Sequence, residues 1–137
     1  MSVQAYWGEI QFFMSQPLFN TFVDKNGFDA AAKAVAIETC IDCQPKDTHV
    51  RDVVHIDFDE VAIEGIESKI YRTNIYFTEQ QLSKEGMVLG SNDLIAALHW
   101  RIMSRREIEA LARKDPKVLR VNPIGIQIIK EDIISTQ

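Results

Sequence analysis

Leu119-Arg120-Val121-Asn122-Pro123-Ile124-Gly125-Ile126-Gln127-Ile128-Ile129 joins a turn to a strand, and the rest of the chain is read outward from it. Pro123 has a restricted φ, has no amide donor, and pushes Asn122 out of the α region. Gly125 accepts a φ that a side chain forbids, or lets another backbone pass close by. Beyond the turn, Ile124, Ile126 and Ile128 fall on one face of a strand and Ile129 on the other. A Pro-initiated corner feeding an isoleucine strand covered on both sides is expected to be the last element of a sheet.

Immediately upstream, residues 93–114 admit two readings. One long helix gives an interrupted apolar stripe of Leu94, Leu98, Ile102 and Leu111. A strand over 94–103 alternates instead, Leu94, Ala96, Leu98, Trp100 and Ile102 against their neighbours. Ser104-Arg105-Arg106-Glu107 favours the strand, because S-x-x-E forms a capping box at a new helix start. The expectation is a strand over 94–103, a helix over 105–113 and a break at Asp115-Pro116.

Further back, residues 50–63 alternate, with Val54, Ile56 and Phe58 against His55, Asp57 and Asp59. Gly65 allows a turn. Residues 69–77 follow as a second strand with Tyr71, Thr73, Ile75 and Phe77 on one side, and 80–90 read as a polar connection. At the N-terminus, Val3, Trp7, Ile10 and Phe13 have helical spacing over 3–15, and Pro17 closes that segment or begins a new turn. Residues 28–39 read as an alanine-rich helix with Phe28, Ala31, Val35 and Ala36 or Thr39 inward. The resulting order predicts a single α+β domain over 1–137, with the N-terminal helices packed on one face of a curved antiparallel sheet.

A chain of 137 residues with 46% hydrophobic content is long enough to fold without disulfide or metal. The net charge of −5 supplies no basic field for phosphates, so nucleic acid is not an expected partner. No apolar run approaches the ~20 residues of a bilayer span, and no signal-peptide pattern opens the chain. The chain as given is expected to be soluble, reaching a membrane only through a segment outside it. Cys40 and Cys43 form a C-x-x-C pair whose redox state the sequence leaves open.

Leu119-Arg120-x-Asn122-Pro123-Ile124-Gly125-Ile126 resembles the N-P-x-G signature of the TrbF-type (VirB-like) inner-membrane assembly factors of type IV secretion systems. The match is residue by residue over 119–126 and in element order over 50–134. The family's opening helices are not identifiable in residues 1–45, and its membrane span is absent from this sequence. The resemblance implies a periplasmic domain shaped like the nuclear-transport-factor (cystatin-like) cone. Such a domain catalyses nothing, self-associates as a homodimer and docks other channel subunits. It also implies that the turn at Asn122, Pro123 and Gly125 presents polar backbone and a surface loop to those contacts. As a bare string, N-P-x-G equally makes a good strand-entry turn.

Other constellations are weaker. Cys40 and Cys43 with His49 and His55 have spacings short for a zinc finger, and a dithiol at a helix C-terminus meets a dipole of the wrong sign for a thiolate. No metal or cofactor is expected. His55, Asp57 and Asp59 read as sharing a strand face with Glu60 and Glu64 nearby. Three ligands at period two suit a cation or acid–base pair, but a solvated acidic face guarding a strand edge explains them as well. Arg101, Arg105, Arg106, Arg113 and Lys114 form a basic cluster. Arg105 and Arg106 are candidates to meet an acidic partner, including the Asp57 and Asp59 region of a second copy. Trp7 and Trp100 read as core. No nucleophile elbow, P-loop or dinucleotide motif occurs, so an enzyme is not expected.

Three functional readings follow. The first is a non-enzymatic assembly scaffold of a type IV secretion or conjugation channel, at the periplasmic face of the inner membrane. The second is a cytoplasmic α+β binding protein of a mobile element or toxin–immunity pair, using its acidic face. The third is an enzyme whose site lies in the cavity of a cone-shaped sheet.

Overall fold

In the computed structural model, which describes residues 9–26, 29–39, 46–63 and 65–136, four long strands pair antiparallel, each with the next in sequence. The elements in chain order are a 3-10 turn (Gln11–Phe13), α1 (Gln16–Val23), α2 (Ala30–Thr39), β1 (Lys46–Ile63), β2 (Ile66–Leu82), β3 (Val88–Ile102), α3 (Arg105–Lys114), α4 (Lys117–Val121) and β4 (Ile126–Ser135). The expected α+β order therefore holds. The sheet is open, with β1 and β4 as its edges among the described residues.

The strand-then-helix reading of 93–114 is correct. Ser104 stands in extended conformation before α3. Its hydroxyl accepts from the Glu107 amide, and the Glu107 carboxylate accepts from the Ser104 amide. The strands run longer than their apolar alternation. Gln80 pairs with Ser91 and Gln81 with Gly90, so most of the expected connection over 80–90 is ladder. Backbone pairing propagates into polar residues once the register is set, and only Ser83–Met87 turn the chain.

The largest correction lies in β1. Register shifts at Arg51 and at Ile56 insert an extra residue into the strand at each point. His55 pairs with Thr73, whereas Asp57 pairs with Arg72. Thr73 and Arg72 are successive residues of β2 and point to opposite faces, so His55 and Asp57 do as well. The expected trio of His55, Asp57 and Asp59 on one face is taken apart by a bulge that a period-two reading does not contain.

The N-terminal part also differs. Residues 9–10 are helical, but Gln11–Phe13 tighten into the 3-10 turn and Met14 is extended, pairing parallel with Ile128. The Ser15 amide donates to the Ile128 carbonyl at 2.9 Å. Ser15 then caps α1, with Pro17 in its first turn, where a missing amide proton costs nothing. So the chain enters along the β4 edge, α1 packs on β4, and α2 packs on α1. On α2, among the described side chains, Ala30 is buried while Ala31, Val35 and Ala36 are exposed, against the inward placement expected of those three. Val3, Trp7, Phe28, Cys40, Cys43 and Glu64 lie outside the described residues. No helix of the described residues is long and apolar enough to cross a membrane.

Thr73 and Ala96 are buried within the sheet, and a further buried cluster lies at one end of it. Met103, Val118 and Asn122 are buried where β3 ends, α3 and α4 turn back, and β4 begins.

Candidate functional site

At this packed end, Asn122 terminates α4 and is 2% exposed. Its side-chain NH2 donates to the carbonyls of Phe12 at 2.8 Å and Ile126 at 2.7 Å. Its side-chain oxygen accepts from the amides of Gly125 at 3.2 Å and Ile126 at 3.1 Å. One amide side chain thus satisfies the turn, the first residue of β4 and the incoming N-terminal segment. Gly125 has φ +83°, and a Cβ there would stand 2.5 Å from Cδ1 of Ile108 on α3. The positive φ is the first of the two reasons given for a glycine here, while the close neighbour is a side chain of α3 and not a passing backbone. The N-P-x-G corner is consequently an internal clamp. Asn122 and Gly125 are buried, and Pro123 and Ile124 are the part that solvent reaches. Ile124, expected in the strand, precedes it.

Beside the clamp, Arg101 is 4% exposed and does not belong to a solvated basic cluster. It donates to Gln127 at 2.8 Å and through two nitrogens to the Glu107 carboxylate. The Arg101 hydrogen bonds hold the Glu107 carboxyl below the usual range, helped by the Ser104 amide and opposed by partial burial. Arg105 is exposed and pairs with Glu109 one turn on at 3.2 Å, while Arg106 is exposed beside it. These two, with Arg113 and Lys114, remain as the surface cations of α3.

On β1, Asp57 is bound by Arg72 through two nitrogens at 2.5 and 2.6 Å, and Asp59 lies 3.7 Å from the same guanidinium. The Arg72 hydrogen bonds lower the Asp57 pKa and raise that of Arg72. The two aspartates are brought together, but around a cation of their own chain. His49 lies 3.0 Å from Asp47. Among the described residues no three metal-ligating side chains converge.

The opposite face of the same strands carries a feature the sequence reading missed. Phe58, Tyr71 and Trp100 lie in one row across β1, β2 and β3, with Tyr71 and Trp100 stacked at 4.7 Å and Phe58 5.9 Å from Tyr71. Trp100 donates its indole N–H to the Thr73 hydroxyl at 2.8 Å, and that hydroxyl also meets His55 Nδ1 at 2.9 Å. An indole only donates, so the Thr73 hydroxyl is the acceptor of the Trp100 bond. The row borders an open groove of about 550 Å³, flanked by His55, Ile56 and Ile102. Its sequence signal was an aromatic at corresponding positions of three strands, legible only with the register known.

The fold and these surfaces describe an α+β domain built on an open antiparallel sheet, with a hydrogen-bonded corner at one end of it. Two solved structures share that fold over almost the whole chain. The soluble domain of TrwG type IV secretion machinery from Bartonella grahamii aligns over 98% of this chain and 80% of its own, with a TM-score of 0.60 and 16% identity. A TrwG component of the type IV secretion system from Bartonella birtlesii aligns over 98% and 78%, with a TM-score of 0.59 and 16% identity. At this identity the likeness is one of fold. No protein-family profile matches the chain, and no curated protein is similar to it.

Proposed function

We propose that this chain is the soluble domain of an inner-membrane component of a type IV secretion machine, a non-enzymatic scaffold that self-associates and docks other channel subunits. The observation that carries the reading is the fold shared with two TrwG domains over 98% of the chain. The N-P-x-G corner supports it independently, since it stands at the entry to the last strand, as in the TrbF-type family. The finer kinship, a nuclear-transport-factor-like cone at the periplasmic face of the membrane, belongs to the same proposal. Buried Asn122 and Gly125 shape the domain, while exposed Pro123, Ile124, Arg105 and Arg106 are left for contacts.

The test is deletion of the gene in its host, scored by substrate transfer through the channel and by co-purification of channel subunits with the restored protein. Loss of transfer with restoration by the wild-type gene is the expected result. Unchanged transfer, with no channel subunit bound, would sink the proposal.

A further inference from the structure

Among the described residues β1 carries more exposed large apolar side chains than any other strand. Val50 is 62% exposed, Ile56 56% and Phe58 48%, and Val53, Val54 and Val61 are exposed too. Cross-strand pairing places Val50, Val53 and Phe58 on one face of the sheet and Val54 and Val61 on the other. A helix lying on the sheet covers one face only. An edge-paired strand brings side chains to both, and β1 has no strand beyond it among the described residues. At ~3.3 Å per residue its free edge runs for roughly 55 Å, a length that proteins ordinarily cover or blunt.

We infer that the occupant is β1 of a second copy of this chain, paired antiparallel about a two-fold axis at Val54. The argument is the placement of the bulges. The unpaired residues, Arg51 and Ile56, stand three positions before and two after Val54, so a two-fold axis there brings the two irregular stretches against each other. In this register the unpaired Arg51 and Ile56 stand opposite Asp57 and Asp52 of the second copy, and wherever both residues of a pair have a β2 partner they come from the same side of the sheet. Val50 meets Phe58, Val53 meets His55, and Val54 meets itself. Arg51 meets Asp57, His49 meets Asp59, and Thr48 meets Glu60, so no like charges stand directly opposite. Moving the two-fold axis to Val53 sets Asp47 against Asp59 of the second copy, and moving it to His55 sets Asp52 against Phe58 and Val53 against Asp57, from opposite faces of the sheet. Bulges on an edge strand normally prevent pairing; here they select one partner edge. This surface rests on the self-association proposed above and specifies its geometry, joining two four-stranded sheets into one of eight.

The experiment uses a Cys40→Ser, Cys43→Ser background. Residues directly opposite on an antiparallel pair have Cα atoms within disulfide reach. Val54→Cys is expected to form a covalent dimer on mild oxidation, and Val61→Cys, which faces Asp47, is not. In sedimentation equilibrium, Arg51→Asp alone and Asp57→Arg alone each weaken dimerisation by about tenfold or more. A one-to-one mixture of the two recovers it, because both cross-strand pairs are then of opposite sign. Circular dichroism checks the fold of each variant. Equal cross-linking of Val54→Cys and Val61→Cys, in a chain that still dimerises, overturns this interface and leaves self-association standing. A wild-type chain that stays monomeric at every concentration overturns both, leaving only the docking of other subunits.

Discussion

The side-chain amide of Asn122 donates to the carbonyl of Phe12, 2.8 Å away and 110 positions earlier in the chain. That bond ties the N-terminal segment to the corner that launches β4, next to the parallel bridge between Met14 and Ile128. A stability defect at this residue therefore reports on both ends of the domain.

Asn122→Ala leaves the carbonyls of Phe12 and Ile126 and the amides of Gly125 and Ile126 without this partner in a buried site. The expected loss is about 3 kcal/mol, since each unmade buried bond costs ~1–3 kcal/mol and some relax toward water. Urea denaturation measures it. A loss below about 1 kcal/mol would show that the clamp is dispensable.

Gly125→Ala combines a positive φ with a Cβ 2.5 Å from Ile108. A loss of roughly 2–4 kcal/mol is expected, and Gly125→Arg should unfold the domain outright. Thermal melting followed by circular dichroism decides. A folded, fully stable Gly125→Arg would contradict the packing described for this corner.

Glu107→Gln removes the charge facing buried Arg101. Stability should fall by roughly 2–4 kcal/mol, toward the low end because Glu107 keeps some solvent contact. The folded carboxyl titrates below its ordinary 4.5. It binds a proton less readily than in the unfolded chain, so its contribution is complete above that pH and is lost as acidification passes through the folded value. Denaturation midpoints across acid pH should fall in the wild type and be flatter in Glu107→Gln. Parallel curves would remove this pair as the cause.

Thr73→Val keeps the side-chain shape but takes away the acceptor of the Trp100 indole and the partner of His55. About 1–2 kcal/mol of stability should be lost. In a Trp7→Phe background the tryptophan emission should shift, since Trp100 is then the one reporter. Unchanged emission and stability would mean that the aromatic row stands on stacking alone.

Local chemistry was legible along the chain. The capping box at Ser104 and Glu107 resolved the ambiguous 93–114 segment, because its two bonds span only three residues. The breaks at Gly65 and at Pro123 through Gly125 were likewise stated by backbone restrictions those residues carry themselves. The α+β order followed from the change of apolar period between segments.

What the chain could not state is where the period slips. A bulge is decided by how one strand seats against its neighbour, so Arg51 and Ile56 give no local sign of it, and the His55–Asp57–Asp59 trio dissolves only in the folded sheet. The burial of Arg101 and Asn122 is likewise a property of what closes over them, Glu107 and Gln127 in one case and Phe12 in the other. Sequence alone determined that three strands, a capped helix and a final strand follow one another, because capping, turn geometry and apolar spacing act within a few residues. Only the tertiary structure decided which faces those residues take and which charges are already answered, because register and long-range hydrogen bonds depend on segments far apart in the chain.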